Sequence, residues 1–202
     1  KIGVIGYGMV GTAITKAFKE IEHSVYVYDI KIPESNLEGT LNSDIIYICV
    51  PTKKLENGSC DTSIVEEIVE KLSKYNYKGT VAIKSTTEPG TTARLQGKFQ
   101  NLILAHVPEF LRERCGYEDF TENHNVLIVG TIHKSAYLDI VKSHGPYPKT
   151  VTQVHPSESE LAKYYSNSYK ALRTIFSTTY GELSKHLGVN YDNVLGAFLL
   201  EN

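Results

Sequence analysis

The sequence predicts an α/β fold, a doubly wound parallel sheet followed by a long helix that begins a second, α-helical domain. Three observations predict it. Short apolar runs alternate with amphipathic stretches through residues 1–150, a glycine-patterned turn follows the first run, and apolar residues keep a helical period for some thirty residues after Ser157. Alternating strands and helices argue for parallel strands covered on both faces. A periodic run of that length exceeds an ordinary globular helix. Residues 1–150 are therefore expected to form the sheet domain, and 151–202 the start of the helical one.

The first element sets the chemistry. Ile2, Val4 and Ile5 read as a short buried strand, and Gly6, Gly8 and Gly11 then form a G-x-G-x-x-G turn opening onto a helix over Val10–Lys19. Gly6 permits the tight turn, Gly8 lets the backbone around Met9 and Val10 approach a pyrophosphate, and Gly11 allows close helix packing. The helix start offers unpaired N–H groups and partial positive charge to phosphate. This is the dinucleotide turn of a Rossmann-type domain. A second strand, Ser24–Tyr28, ends at Asp29, 18 residues after Gly11. An acid at that spacing accepts hydrogen bonds from a ribose and repels a 2′-phosphate, which favours NAD. Lys31 and Lys16 weigh the other way.

The remaining elements follow in order. Lys31–Ser43 is too poor in apolar residues for a full crossover helix. Asp44–Val50 is the third strand, followed by Pro51-Thr52. Asp61-Thr62-Ser63 starts a helix with Ile64, Val65, Ile68, Val69 and Leu72 at helical spacing. Thr80–Ile83 is the fourth strand and Lys84–Thr92 its loop. Leu102–Ala105 is the fifth strand, His106–Asn123 a long polar loop, Asn125–Val129 the sixth strand and His133–His144 a short helix. Gly145–Pro156 holds three of the seven prolines and reads as a linker. Ser157 and Glu160 have capping-box spacing. Leu161, Tyr164, Tyr165, Leu172, Ile175, Phe176 and Leu183 then supply apolar contacts, Gly188 suits a helix end, and Asn190–Leu200 begins another helix.

Composition narrows the classes. Of 202 residues 41% are hydrophobic, enough for a real core, and 21 basic against 23 acidic residues give a net charge of −2. Nothing there suggests a nucleic-acid or membrane surface. No apolar run reaches the roughly 18–20 residues that span a bilayer, and there is no basic-then-apolar leader. Three cysteines without a C-x-x-C pair indicate neither a disulfide framework nor zinc. The seven histidines lack metal-ligand spacing. A cytoplasmic protein is expected. The chain begins without methionine and stops inside an apolar helical pattern, as a fragment would.

In open parallel sheets, ligands bind at the carboxyl ends of strands. That rule selects Thr52, Lys84-Ser85-Thr86 and Pro108-Glu109-Phe110-Leu111-Arg112-Glu113. Ser85 and Thr86 suit a cofactor or substrate contact, or capping of the next helix. Glu109 and Glu113 share a face if their segment is helical and suit acid and base work; otherwise they are solvated loop residues. Lys163 and Asn167 lie four apart on the long helix. A lysine beside an amide suits an oxygen gaining negative charge, while a helix-surface lysine is the plain alternative.

Together these motifs resemble the UDP-glucose/GDP-mannose dehydrogenase family. The resemblance rests on Gly6–Gly11, Tyr28-Asp29-Ile30-Lys31, Ile48-Cys49-Val50-Pro51-Thr52 and Asp61–Glu66. It rests equally on Lys84-Ser85-Thr86, Pro108–Glu113 and Glu160-Leu161-Ala162-Lys163-Tyr164-Tyr165-Ser166-Asn167, and covers essentially the whole chain. It implies oxidation of the primary alcohol at carbon six of a nucleotide sugar, UDP-glucose foremost, using two NAD in succession. Lys163 and Asn167 would stabilise the reacting oxygen, Glu109 would activate water positioned by Thr86, and Glu113 would line the sugar pocket beside Phe110 and Leu111. Gly6, Gly8, Met9, Val10, Gly11, Asp29, Lys31, Val50, Pro51, Thr52, Ser85 and Thr86 would hold NAD.

The family's nucleophile is a cysteine in a Gly-rich segment after the helix that begins near Asn190. It carries the sugar as a thiohemiacetal and then a thioester. Cys49, Cys60 and Cys115 do not occupy that position, so this chain is expected to be an incomplete catalyst. A homodimer through residues 157–187 is expected from length and analogy. Departures from the family pattern are Thr87-Glu88 in place of Val-Pro, His106-Val107 before Pro108 where asparagine is common, and a short Lys31–Ser43 stretch. Two other readings remain, a two-electron dehydrogenase of the hydroxyacid type and a non-catalytic NAD-binding dimer module.

Overall fold

A computed structural model describes residues 1–112 and 114–201, the last of these in its backbone only. Seven strands form one sheet: β1 (Ile2–Ile5), β2 (Val25–Tyr28), β3 (Ile45–Ile48), β4 (Thr80–Ile83), β5 (Ile103–His106), β6 (Val126–Gly130) and β7 (Thr150–Val154). Their order is β2-β1-β3-β4-β5-β6-β7. The first five pair in parallel, as do β6 and β7. One junction departs from the all-parallel expectation, because β6 meets β5 antiparallel at His106 and Gly130. The connection between these two strands carries only the short helix Gly116–Thr121.

Helices α1 (Met9–Glu20), α2 (Ser63–Lys74), α3 (Thr91–Lys98), α4 (Gly116–Thr121) and α5 (Lys134–His144) cover the sheet. The strands' period of two sends alternate residues to opposite faces. Ile45 and Tyr47 join a core with Ile14 and Phe18 of α1, Phe120 of α4 and Ile140 of α5. Ile46 and Ile48 join another with Val65, Val69 and Leu72 of α2 and Leu95 of α3. A sheet buried on both faces accounts for strands that read as continuous apolar runs.

Two helices and a strand lie where the sequence predicts loop. α3 begins inside the expected Lys84–Thr92 loop, α4 inside the expected His106–Asn123 loop, and β7 inside the expected Gly145–Pro156 linker. Each has little apolar signal. In α3 only Leu95, with Thr91 and Thr92, is buried, and β7 is a half-exposed edge strand.

The chain divides into two compact units, Lys1–Lys163 and Tyr164–Asn202, so the first runs past the expected boundary at residue 150. The long helix α6 spans Pro156–Leu187, and α7 spans Tyr191–Glu201. The α6 cap differs from the Ser157–Glu160 pair expected. His155 precedes the helix, its N–H donating to Glu158 Oε2 at 2.7 Å and its Nδ1 accepting the Ser157 N–H at 3.3 Å. Pro156, which lacks an N–H, fits the first helical position. At the other end Gly188, with φ +68°, donates to Lys185 O, and Val189 donates to Ser184 O. That pair of bonds is a Schellman motif, as the sequence predicts. Among the described residues no helix is long and apolar enough to cross a membrane.

Candidate functional site

Successive connections leave β1 on opposite sides, first to β2 and then to β3. Such a reversal opens a crevice at the carboxyl ends of the two inner strands. Gly6–Val10, Asp29–Ile32 and Cys49–Pro51 line a cleft there of about 440 Å³. Of the twelve residues expected to hold a dinucleotide, Gly6, Gly8, Met9, Val10, Asp29, Lys31, Val50 and Pro51 line it, while Gly11, Thr52, Ser85 and Thr86 do not. A larger opening of about 860 Å³ faces the amino ends of β1, β3 and β4, around Ile2, Ile45 and Gly79. It contains none of the expected residues and lies at the wrong end of a parallel sheet for a ligand.

The turn fits a dinucleotide for reasons visible in its packing. Gly6 has φ +93°, and a Cβ on it would sit 2.5 Å from Cys49 O. A Cβ on Gly11 would sit 1.9 Å from Gly6 O, whereas one on Gly8 would meet nothing within 4 Å. The first two positions thus close the turn tightly, and the third leaves its outer side open for the approach of a phosphate. Among the described residues no side chain caps the start of α1, and its first turn carries no acid. Its N–H groups and dipole are therefore available to an anion.

Asp29 ties the turn to the end of β2. Its Oδ2 accepts the Tyr7 N–H at 2.6 Å and its Oδ1 the Lys31 N–H at 2.8 Å. The Tyr7 bond, with help from Lys31, holds this carboxyl below the usual range. Each carboxylate oxygen retains a lone pair for a ribose hydroxyl. Lys16, which weighed against NAD in the sequence, stacks over the Tyr117 ring at 3.5 Å from its centroid. Lys31 remains exposed at the cleft.

The segments after β4 and β5 bring a second group together. Lys163 Nζ donates to Glu109 Oε1 at 2.9 Å and also to Glu109 O, and the two side chains are only 7% and 16% exposed. Glu109 Oε2 accepts the Leu111 N–H at 2.7 Å, and Lys163 Nζ lies 5.4 Å from the Phe110 ring centroid. A lysine–carboxylate pair this buried is kept by geometry, since desolvation offsets much of its attraction. Arg112 pairs with Asp119 at 2.6 Å and anchors the segment on α4.

Ser85 Oγ donates to Val50 O at 2.7 Å, joining this loop to the lining of the first cleft. Thr86 is half-buried one residue on, and Asn167 is exposed and belongs to the second unit. Glu113 lies outside the described residues.

Two residues stand out for a burial that their spacing does not announce. Lys84 is buried beneath the same segment, 3.5 Å from Val107 O and 5.7 and 5.8 Å from the Tyr47 and Phe120 ring centroids. Burial pushes its ammonium down to about 8. Glu160 is wholly buried and accepts hydrogen bonds from the Thr87–Thr92 segment. Among the described residues no three His, Cys, Asp or Glu side chains are grouped to hold a metal.

Residues 31–143 match the NAD binding domain of the UDP-glucose/GDP-mannose dehydrogenase family. The UDP-glucose 6-dehydrogenase of Rickettsia prowazekii is 33% identical over 157 residues, which are 74% of this chain and 36% of that protein. Among solved structures, a UDP-glucose dehydrogenase from Pyrobaculum islandicum superposes with a TM-score of 0.88 at 27% identity, covering 98% of this chain and 56% of that one. A GDP-mannose dehydrogenase from Pseudomonas aeruginosa gives 0.84 at 20% identity, a likeness of fold, over 99% of this chain and 56% of that one. The chain thus spans about a third of the length of the curated relative and just over half of the solved ones.

Proposed function

This chain belongs to the UDP-glucose/GDP-mannose dehydrogenase family, and from that premise we propose that it carries the NAD site and part of the sugar site of a UDP-glucose 6-dehydrogenase. The reaction would be oxidation of the carbon-six alcohol of a nucleotide sugar, UDP-glucose, to the carboxylate. NAD is the cofactor of this domain, and when bound it supplies the hydride acceptor. The observation that carries the reading is the buried Lys163–Glu109 pair beyond the carboxyl end of β5, at the same end of the sheet as the dinucleotide cleft.

Lys163 presents an ammonium from a nearly water-free position, where a fixed donor acts strongly on an oxygen gaining negative charge. Asn167, one turn on, would add an amide donor. Glu109 is fixed through Oε2 by the Leu111 N–H, leaving Oε1 to exchange Lys163 for a water whose proton it would accept during the final hydrolysis. Thr86 would orient that water, and Phe110, Leu111 and Glu113 would line the sugar. The covalent step of the family is not assigned to a thiol here. Burial pushes Cys49 up to about 12, the opposite of what a nucleophile at neutral pH needs.

A homodimer through residues 157–187 belongs to the same proposal. Leu172, Ile175 and Phe176 are 62%, 64% and 60% exposed, an apolar face of the kind that a second copy covers. The test is product stoichiometry. The protein at its natural length, given UDP-glucose and NAD, should yield two NADH and one uronate per sugar. One NADH with an aldehyde or ketone product, or no NADH at all, would refute the proposal.

A further inference from the structure

We propose that Glu160 is the positioning residue that holds the Thr86 loop and Lys163 in one frame. Its carboxylate is fully buried. Oε1 accepts Thr87 Oγ1 at 3.2 Å, the Thr92 N–H at 2.8 Å and Thr92 Oγ1 at 2.7 Å, and Oε2 accepts the Gly90 N–H at 2.6 Å. These four donors engage both oxygens of the side chain. The bonds also complete a helix that lacks a cap of its own. α3 starts at Gly90 in the left-handed region, φ +99°, with no side chain there to take its free N–H groups. The α6 carboxylate takes them and lies at the positive end of the α3 dipole.

The neighbouring residue makes the placement rigid. Ser159, also fully buried, meets His106 Nδ1 at 2.5 Å. A Cβ on Gly130 would come within 2.3 Å of Ser159 Oγ, so the glycine at the end of β6 is what admits the serine. The first turns of α6 are thereby fixed to β5, β6 and the loop after β4 by adjacent side chains. Three residues after Glu160, the Lys163 ammonium reaches Glu109. One residue before Thr87, on the same tethered loop, stands Thr86. Glu160 touches neither the cofactor cleft nor Glu109. It acts by setting where the two groups on either side of it stand.

What Lys163 does chemically rests on the function proposed above; how Glu160 places it does not. The test is trace acetylation of the folded protein with acetic anhydride, read at Lys163 by peptide mass spectrometry. Amide hydrogen exchange in β1 and β3 serves as the control for general loosening. Glu160→Gln sets an amide against N–H donors and should raise Lys163 labelling about tenfold, the scale of one hydrogen bond to a charged group. Exchange in β1 and β3 should stay at the native rate. Thr92→Val removes one of the four donors and should move Lys163 in the same direction by a smaller factor.

Native Lys163 labelling in folded Glu160→Gln overturns the proposal. If that variant does not fold, native labelling in Thr92→Val overturns it instead. An equal rise at Lys163 and in sheet exchange overturns it as well, because that is loosening of the whole unit. Failure to oxidise UDP-glucose leaves the labelling result standing, so the two proposals fail separately.

Discussion

Gly11→Ala tests the dinucleotide turn at its tightest contact. The added Cβ would lie 1.9 Å from Gly6 O and 3.0 Å from Gly6 C. An ordinary carbon–oxygen contact is roughly 3.4 Å, so about 1.5 Å of movement is required. Gly6 cannot supply it. Its N–H donates to Tyr28 O at 2.8 Å, the adjoining Ile5 O accepts the Cys49 N–H at 2.7 Å, and its own Cβ position is closed by Cys49 O. The first turn of α1 must move outward, into the space where a pyrophosphate approaches the backbone. Overpacking of this kind costs about 1–3 kcal/mol. At about 2–4 °C per kcal/mol for a domain of this size, the thermal midpoint should fall by about 2–12 °C. Displacing the phosphate-binding N–H groups by more than their hydrogen-bond tolerance should weaken NAD by about a hundredfold or more. Calorimetric titration with NAD and a thermal melt read the two effects. NAD affinity within twofold of native, with an unchanged midpoint, would mean that the cofactor does not sit on this turn.

Three further outcomes are expected. Asp29→Ala removes both the ribose acceptor and the tie to the Tyr7 N–H, and should weaken NAD about tenfold or more by titration; unchanged affinity would mean the acid is not at the ribose. Lys163→Ala in the natural-length protein should lower turnover by two orders of magnitude or about that, with NAD affinity little changed; equal losses in both would place Lys163 at the cofactor. The third concerns acid. Burial lowers His106 to about 3 and His124 to about 4, and lowers His144 well below its ordinary value. Above pH about 6.5 each is neutral folded and unfolded, so they contribute no pH dependence there. Below it the unfolded chain binds protons that the folded one refuses, and stability falls as pH falls. Each histidine contributes about 1.4 kcal/mol per pH unit, until pH reaches the lowered folded value. Urea melts should lose about 4 kcal/mol between pH about 7.5 and about 5.5; a flat profile would show that these rings are hydrated.

The parts of the fold legible in the sequence are those whose signal is local. The fingerprint carries its own stereochemistry, and β1, β3 and β4, buried on both faces, read as apolar runs without reference to anything distant. Gly188 announces a helix end because only a glycine sits comfortably at φ +68°. β7 was illegible because its evidence is its partner. Pairing from Val126–Thr150 to Gly130–Val154 supplies what Val151 and Val154 alone cannot, and the flanking prolines argue for a linker. α4 is six residues long, and its identity depends on Phe120 meeting Phe18, with ring centroids 5.5 Å apart. Neither contact leaves a periodic trace.

The same division runs through the site. Residues whose part is backbone shape, such as Gly6, Gly8 and Gly11, are named by spacing alone. Residues that act through a partner are not. Lys163 reads as an ordinary helix-surface lysine until Glu109, 54 positions earlier, is placed beside it. Glu160 reads as half of a capping box because three residues separate it from Ser157, yet its donors lie 68 to 73 positions away. The decisive physical difference is burial. A capping-box glutamate reaches back to its own helix start in water, and Glu158 takes that part here. That leaves Glu160 buried among four donors, and directed polar bonds of this kind fix position more firmly than an apolar contact of the same size. The helix that carries Lys163 is therefore held to the sheet by polar bonds of defined direction. This is the property required of an element that must hold an ammonium to within a fraction of an ångström.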